Sequence, residues 1–427
     1  MKVTVIGLGK IGLPLAVHFA QSGVSVTGLD LHQEVVRQVN SGIEPFPGEK
    51  DLQIRLIECI SSSTLVASTN KEESLSSADV IVVCIPLVTD SEGNPDFENI
   101  DQLVKEIGKS MSEGSLICFE TTLPVGTTRS RFTVGLEAAS GFKVGEDFFV
   151  VFSPERVLTG RVFEDLRRYP KLVGGVTDKC TSRGVEFYSK VLSFDIRSDL
   201  SRPNGVWALK NAEAAEFAKI AETTYRDVNI GLANEFAVYA SGLEVDVMEV
   251  ITASNSQPYS HIHSPGISVG GHCIPIYPRF YMWKNSESQI VSAARERNLA
   301  MPLRAVDQIR EEFGDLKDMK VGVLGITYRA AVKESAFSGA LDLLKYLQDY
   351  NAQVFGLDPF YNESEIMSFG FRGVANLGEL DGVIIHTDHP EFKQIDFESY
   401  ENLKFVYDGR RSHTHLIDST TIKYLTF

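Results

Sequence analysis

Cysteine pairing is what this chain most plainly lacks. Among 427 residues there are five cysteines, at positions 59, 84, 118, 180 and 273. An odd, scattered set with no Cys-x-x-Cys spacing excludes a disulfide framework and predicts free thiols in a reducing compartment, the cytoplasm. His261, His263, His272 and Cys273 crowd one stretch, but no compact ligand spacing completes a site, so no metal is expected. Long apolar runs are missing too: none approaches the ~18 residues of a membrane span. The opening "MKVTVIGLGKIG" reads as a strand entering a turn, without a leader's cleavage pattern, and no membrane partner is expected. Basic excess is also absent. A net charge of −16 disfavours nonspecific nucleic-acid binding, so an anionic ligand must be held by local groups.

What is present is globular. The chain is 43% hydrophobic and 23% charged, a soluble mixture, and too long for one ordinary core. "KVTVIG", "VSVTGLD", "ADVIVVCIP", "GSLICFETT" and "FFVVFSPE" read as short apolar strands separated by helical or polar stretches, the pattern of a covered parallel sheet. A second cycle begins at "MKVGVLGITY" and continues through "GALDLLKYLQDYN", "AQVFGLDP", "LDGVIIHT" and "LKFVYDGR". The expected fold class is α/β, with two Rossmann-like doubly wound domains joined by a long central helix and a helical middle domain. The boundaries are placed at 1–200, 201–300 and 301–427. Residues 204–241 read as one long helix or two closely joined. Phe217, Ile220, Tyr225, Ile230 and Phe236 are more apolar surface than one domain covers, so a homodimer core is expected there.

"VIGLGKIG" places Gly7, Gly9 and Gly12 in G-x-G-x-x-G spacing between a strand and a helix. Such glycines allow a tight turn and close approach of a pyrophosphate at a helix N-terminus. Asp30 ends the second strand, where a carboxylate accepts from a ribose 2′-hydroxyl, and no Arg follows closely; NAD is therefore expected over NADP. The second cycle lacks the full fingerprint, but Arg329 and Lys333 after its first strand suit an anionic ligand such as a nucleotide diphosphate.

"SVGGHCIPIYP" sets Cys273 between a Gly-Gly-His run and a proline, a stiff loop that suits a reactive sulfur. Cys84 and Cys118 lie in apolar strands, and Cys59 and Cys180 lack loop chemistry; all four read as packing residues. With NAD and a thiol together, one chemistry follows. An alcohol gives up a hydride, the thiolate adds to the aldehyde, a second hydride leaves, and water hydrolyses the thioester. That sequence needs a lysine near the oxyanion and a carboxylate to activate water.

These motifs, in this order along nearly the whole chain, resemble the nucleotide-sugar 6-dehydrogenases, the UDP-glucose and UDP-N-acetylhexosamine dehydrogenases. The resemblance of "GGHCIP" implies Cys273 as nucleophile. "ETTLPVGTT" implies Thr122 near the catalytic water and Glu120 near the cofactor. "FSPERVLTG" implies Glu155 as the hydrolytic base, and "AEFAKIAE" implies Lys219 as the oxyanion or water partner. Ile11 and Pro86 complete the implied cofactor set, with Thr122 also counted there. Arg156, Lys219, Gly270, Arg329 and Lys333 form the implied substrate set. Two positions depart from the pattern: Thr223 stands where Asn is usual and Tyr277 where Asp is usual, and both are counted with the catalytic groups. The stretch from Arg329 to Lys333 is also about three residues shorter than usual. "TYRDVNIGLANE" and "PERVLTG" favour a UDP-N-acetylhexosamine (mannosamine or glucosamine) over UDP-glucose. The competing readings are a two-electron oxidase stalled by Thr223 and Tyr277, and a nucleotide-sugar-binding scaffold.

Overall fold

The computed structural model describes every residue except Ser91 and Glu244. The chain divides into two compact units, Met1–Glu222 and Thr223–Phe427.

The first unit is built on an eight-stranded sheet. Its strands run, edge to edge, Val206–Ala208, Lys171–Gly175, Phe149–Phe152, Leu116–Phe119, Val80–Val83, Lys2–Ile6, Ser25–Leu29 and Leu65–Ser68. Lys2–Ile6 pairs parallel with both Ser25–Leu29 and Val80–Val83, so the strand order reverses on either side of the chain's first strand. Ligands of open α/β sheets gather at such a switch point, beyond the carboxyl ends of the strands. The central strands read VIVV and LICF and are buried at every residue, as a sheet covered on both faces requires. Cys59, Cys118 and Cys180 are buried and Cys84 is half-buried; all five thiols are free.

Two strands run against the other six. Lys171–Gly175 is antiparallel to Phe149–Phe152, with Val151 opposite Gly175 and Phe152 opposite Gly174, and the edge strand Val206–Ala208 runs parallel to it. A reversed strand begins where its neighbour ends. The start of Lys171–Gly175 therefore lies at the carboxyl edge of the sheet, where ligands of open α/β folds gather.

The central helix runs Ala212–Ser241. It starts later than the 204–241 expected, because Val206–Ala208 joins the sheet beside Lys171–Val173. The Asn211 side chain then accepts from Ala214 N at 2.9 Å and caps the helix. Ile220, expected on the helix's outer face, is fully buried, whereas Phe217, Tyr225, Leu232, Phe236 and Tyr239 are exposed.

The second unit carries a five-stranded, wholly parallel sheet in the order Gln353–Leu357, Lys320–Leu324, Gly382–Ile385, Phe405–Asp408, Lys423–Leu425. Its core joins the sheet to the helices Gln289–Phe313 and Gly339–Asp349 and to the end of the central helix, through residues such as Met301, Val306, Leu343, Phe405 and Ala237.

Candidate active site

The glycine turn at the first switch point is explained atom by atom. Gly7 has φ +90, and its N–H donates to Leu29 O at 2.8 Å, closing the strand onto its neighbour. A Cβ on Gly12 would lie 1.8 Å from the Gly7 carbonyl oxygen, so only glycine lets the helix Gly12–Gln21 start against the turn. A Cβ on Gly9 would meet nothing within 4 Å, which leaves open space where a pyrophosphate would approach. Ile11 precedes the helix as its cap residue, and the first turn carries no acidic side chain to oppose a bound anion. Asp30 accepts from Leu8 N at 2.8 Å and from His32 N at 2.9 Å, and remains half-exposed at the end of its strand. Pro86 is exposed in the loop after Val80–Val83, and the Thr121 hydroxyl donates to the neighbouring Ile85 carbonyl. These residues fit a dinucleotide: Gly12 cannot be another residue, and Asp30 keeps a carboxylate near the turn.

Beyond the next two strands lies a buried charge cluster. Lys171 Nζ donates at 2.8 Å to Glu120 and at 2.8 Å to Glu155, and Tyr188 Oη donates at 2.6 Å to the other Glu120 oxygen. Glu120 follows Leu116–Phe119 and Glu155 follows Phe149–Phe152, both leaving the sheet's carboxyl edge. Carrying the antiparallel register three residues past Phe152 sets Glu155 across from Lys171. The Lys171 side chain is 4% exposed, those of Glu120 and Glu155 1% and 10%. Burial pushes Glu120 up to about 7 against the pull of Lys171. Burial also acts on Glu155, but the Lys171 charge and its hydrogen bond outweigh it and hold that carboxyl below its ordinary value. The Glu120 carboxylate is thus turned inward. Thr122 is buried at the start of the loop that follows.

The helix residues Glu216 and Lys219 divide their work. Glu216 is fully buried and accepts from Gly126 N at 2.5 Å, Thr128 N at 2.8 Å and Thr128 Oγ1 at 2.6 Å, pinning the helix to the "PVGTT" loop. Burial raises its carboxyl to about 7. Lys219, one turn on, is 8% exposed, so it is not the solvated surface charge that a lysine on a helix usually is. Thr223 follows at 7% exposed. Arg156 donates through Nε to Glu222 at 2.8 Å.

The expected catalytic groups are divided: Thr122, Glu155 and Lys219 belong to the first unit, Thr223, Cys273 and Tyr277 to the second. Within the second unit, the loop that carries Cys273 is laid across the carboxyl edge of the sheet. Ile267 N donates to Gly409 O at 3.2 Å, Ser268 Oγ meets His386 Nε2 at 2.7 Å, and Gly271 N donates to Ala336 O at 2.9 Å. Burial drives His386 down to about 3, so it is neutral against Ser268. A Cβ on Gly270 would lie 2.6 Å from Tyr328 Cβ, and Gly271 takes φ +88, so the glycine pair serves close approach to the "GITYR" loop. Cys273 is exposed at the end of this loop. Its carbonyl accepts from Tyr277 N at 2.9 Å as the helix Tyr277–Met282 begins. His272 Nε2 lies 3.4 Å from Glu334, beside the thiol rather than on it.

A buried chain holds the next residue. Arg295 donates to Ile274 O at 3.2 Å and pairs with Asp227 at 3.0 Å; Asn298 donates to the Asp227 carboxylate at 2.8 Å and accepts from Asn234 at 2.8 Å. Asp227 and Asn234 sit about two and just over four turns after Lys219 on the same helix, and no local motif in the sequence marks them. Arg329 and Lys333 flank a bend in which Ala331 takes φ 61, and Lys333 pairs with Glu365 at 2.6 Å in a half-exposed ion pair.

Comparison with known proteins agrees with both units. Residues 1–192 match the NAD-binding domain of the UDP-glucose/GDP-mannose dehydrogenase family, residues 213–300 its central domain, and residues 322–415 its UDP-binding domain. A UDP-N-acetyl-D-mannosamine dehydrogenase of Pyrococcus horikoshii is 34% identical over 96% of this chain and 95% of its own length. One of Methanocaldococcus jannaschii is 33% identical over 94% and 89%. The solved structure of the Pyrococcus horikoshii enzyme covers all of this chain and 99% of its own, with TM-score 0.89 at 31% identity. The chain belongs to the UDP-glucose/GDP-mannose dehydrogenase family and is an NAD-dependent dehydrogenase.

Proposed function

We propose that the protein oxidises the C6 hydroxymethyl group of UDP-N-acetylmannosamine to a carboxylate, with UDP-N-acetylglucosamine as the nearest alternative. The observation that carries this reading is full-length likeness to proteins named for the mannosamine substrate. NAD bound at the glycine turn supplies the hydride acceptor. Cys273, exposed on a loop held at Ile267, Ser268 and Gly271, bonds through sulfur to the aldehyde carbon. Lys219, desolvated on its helix, offers its ammonium to the oxygen of the resulting thiohemiacetal. In hydrolysis, Glu155 takes a proton from water as the water oxygen bonds to the acyl carbon of the thioester. The carbon–sulfur bond then breaks, and its electron pair returns to Cys273 as thiolate. Thr122, Thr223 and Tyr277 orient groups around these steps. Gly270, Arg329 and Lys333 serve the substrate, and Gly7, Gly9, Ile11, Gly12, Asp30 and Pro86 the cofactor, whereas Glu120 is engaged by Lys171 and Tyr188 and Arg156 by Glu222, so neither is assigned a ligand contact.

A product profile with UDP-N-acetylmannosamine, UDP-N-acetylglucosamine and UDP-glucose tests the substrate. About two NADH per sugar supports the four-electron reaction, and about one supports a stalled two-electron oxidase. Cys273→Ala should abolish acid formation while leaving NAD titration unchanged; a large loss of NAD affinity would make the sulfur structural.

The same reading divides the chain into a cofactor domain (1–200), a central domain (201–300) and a substrate domain (301–427). It also makes the protein a homodimer through the central helix, supported by the exposed Phe217, Tyr225, Leu232, Phe236 and Tyr239. Sedimentation at micromolar concentration checks this, and a monomer alone would refute it. Five free thiols support a cytoplasmic location, and no helix among the described residues is long and apolar enough to cross a membrane.

A further inference from the structure

Two carboxylates and one ammonium are buried together at the sheet edge, and a single cation cannot neutralise both acids. The geometry shows how the charge is shared. Lys171 Nζ stands 2.8 Å from an oxygen of each carboxylate, and Glu120 has its second oxygen taken by the Tyr188 hydroxyl at 2.6 Å. Glu155 accepts from Arg156 N at 3.0 Å through its second oxygen and is the less buried of the two. The other titratable groups facing the pair come from three elements. Cys118 in the adjacent strand and Cys84 at the next loop are thiols that burial pushes up, and His18 on the first helix is driven down to about 4 by burial. All three are neutral near pH 7. The Arg156 guanidinium is turned away to Glu222.

We propose that Lys171 is a positioning residue for the hydrolytic half of the reaction: its buried ammonium keeps Glu155 ionised and aimed, and assigns the proton that the two acids share to Glu120. The inference rests on Glu155 acting as the base. The Glu120 value near 7 and the depressed Glu155 agree with that assignment: burial and the Glu155 charge raise Glu120, while Lys171 and a hydrogen bond with Glu120 lower Glu155. The antiparallel strand is the device that makes this possible. A parallel strand here would begin at the opposite edge of the sheet and bring its first residue nowhere near Glu155.

The test compares Lys171→Met, Lys171→Arg, Glu120→Gln and Glu155→Gln in the full-length protein. The readouts are kcat against pH, the mass of acyl-Cys273 after acid quench, and Tm. Lys171→Met should move the acid limb of kcat up by about 1–3 pH units, the range of an opposite charge beside a carboxylate, and should accumulate thioester at neutral pH. Lys171→Arg keeps the charge and should keep the limb close to wild type. Glu120→Gln replaces the protonated acid with a neutral isostere and should leave the limb close to wild type. A limb moved by Lys171→Met but held in Glu120→Gln would not arise from general loosening of the core, which Tm reports separately. An unmoved limb in Lys171→Met, or a displaced limb in Glu120→Gln, overturns the proposal; if Lys171→Met does not fold, the limb in Glu120→Gln decides. Glu155→Gln separates the two levels: should it hydrolyse thioester normally, Glu155 is not the base and the functional reading itself fails. Should it block hydrolysis while the limb stays fixed in Lys171→Met, only the role of Lys171 fails.

Discussion

The two α/β units close their first turns in the same way and use the result differently. In the first, Gly7 (φ +90) donates to Leu29 O at 2.8 Å, and Asp30 accepts from Leu8 N at 2.8 Å. In the second, Gly325 (φ +91) donates to Leu357 O at 2.7 Å, and Asp358 accepts from Ile326 N at 2.7 Å and Thr327 N at 2.8 Å. Each aspartate ends the second strand of its sheet and ties down the turn after the first. The surroundings then diverge. Asp30 is half-exposed, while Asp358 is 3% exposed, lies 3.3 Å from His389 and also accepts from the Thr327 hydroxyl at 3.1 Å. An aspartate at this position is thus left partly open to solvent in one unit and sealed as a structural clasp in the other. What decides is whether side chains or open space lie beyond the turn.

The sharpest break of the comparison is Gly12→Ala set against Gly325→Ala. The first puts a methyl 1.8 Å from the Gly7 carbonyl oxygen, the second 2.4 Å from Thr387 Cβ, and neither neighbour can retreat cheaply. Each should cost about 3 kcal/mol or more, the upper part of the usual overpacking range. Calorimetry should show the loss in both, but NAD titration should fail only in Gly12→Ala. Equal loss of NAD binding in Gly325→Ala would show that the second turn supports the first.

Next in size is Asp358→Asn, expected to destabilise by about 2–3 kcal/mol through buried charged hydrogen bonds, with NAD affinity unchanged. Burial alone would raise this carboxyl, but its bonds to His389 and to backbone N–H groups hold it below the ordinary value. A depressed value in the folded state means the stabilisation is present above about pH 4 and is lost as pH falls through the folded value. Chemical denaturation across that range should show a shallower acid loss in Asp358→Asn than in wild type; parallel curves would place the titration elsewhere.

Smaller again in stability, and opposite in kind, is Asp30→Ala. Tm should fall less than in Asp358→Asn, because the two backbone bonds lost are nearer to solvent, while NAD weakens by about 1.5–3 kcal/mol and discrimination against NADP relaxes, because a carboxylate repels the 2′-phosphate. Unchanged cofactor preference would mean that Asp30, like Asp358, serves only the turn.

The smallest expected effect on NAD binding sharpens the second unit alone. Arg295→Met removes the donor to Ile274 O beside Cys273 and leaves Asp227 without its cation. kcat should fall several-fold more than KM changes, with NAD titration untouched; an equal change in both would make the chain a general support of the helices.

Much of this was readable before folding. The glycine fingerprint, five strands of the first sheet and four of the second, and the glycine-rich loop around Cys273 announce themselves because each is a local demand; Leu65–Ser68, Lys171–Gly175, Val206–Ala208 and Lys423–Leu425 do not. A positive φ, a Cβ that cannot fit or a run of apolar residues is written in neighbouring positions. The late start of the central helix was not readable, since residues 204–211 suit a helix until an open sheet edge offers Val206–Ala208 a partner. Glu216 stood within a recognised motif, but its role as a clamp on Gly126 and Thr128 needed the loop it grips.

By itself, then, the order of residues determined the two Rossmann-like units, the cofactor turn with Gly7, Gly12 and Asp30, and Cys273 as the thiol set in loop chemistry. Each depends on backbone geometry over a few residues. Only the tertiary structure decided that Lys171 stands between Glu120 and Glu155, that Asp358 is sealed where Asp30 is open, and that Arg295 reaches Ile274. Those outcomes turn on which strand runs backwards and which side chains exclude water. A charge's neighbours across a sheet lie 16 and 51 residues away along the chain, as Glu155 and Glu120 do from Lys171, and no local pattern carries that information.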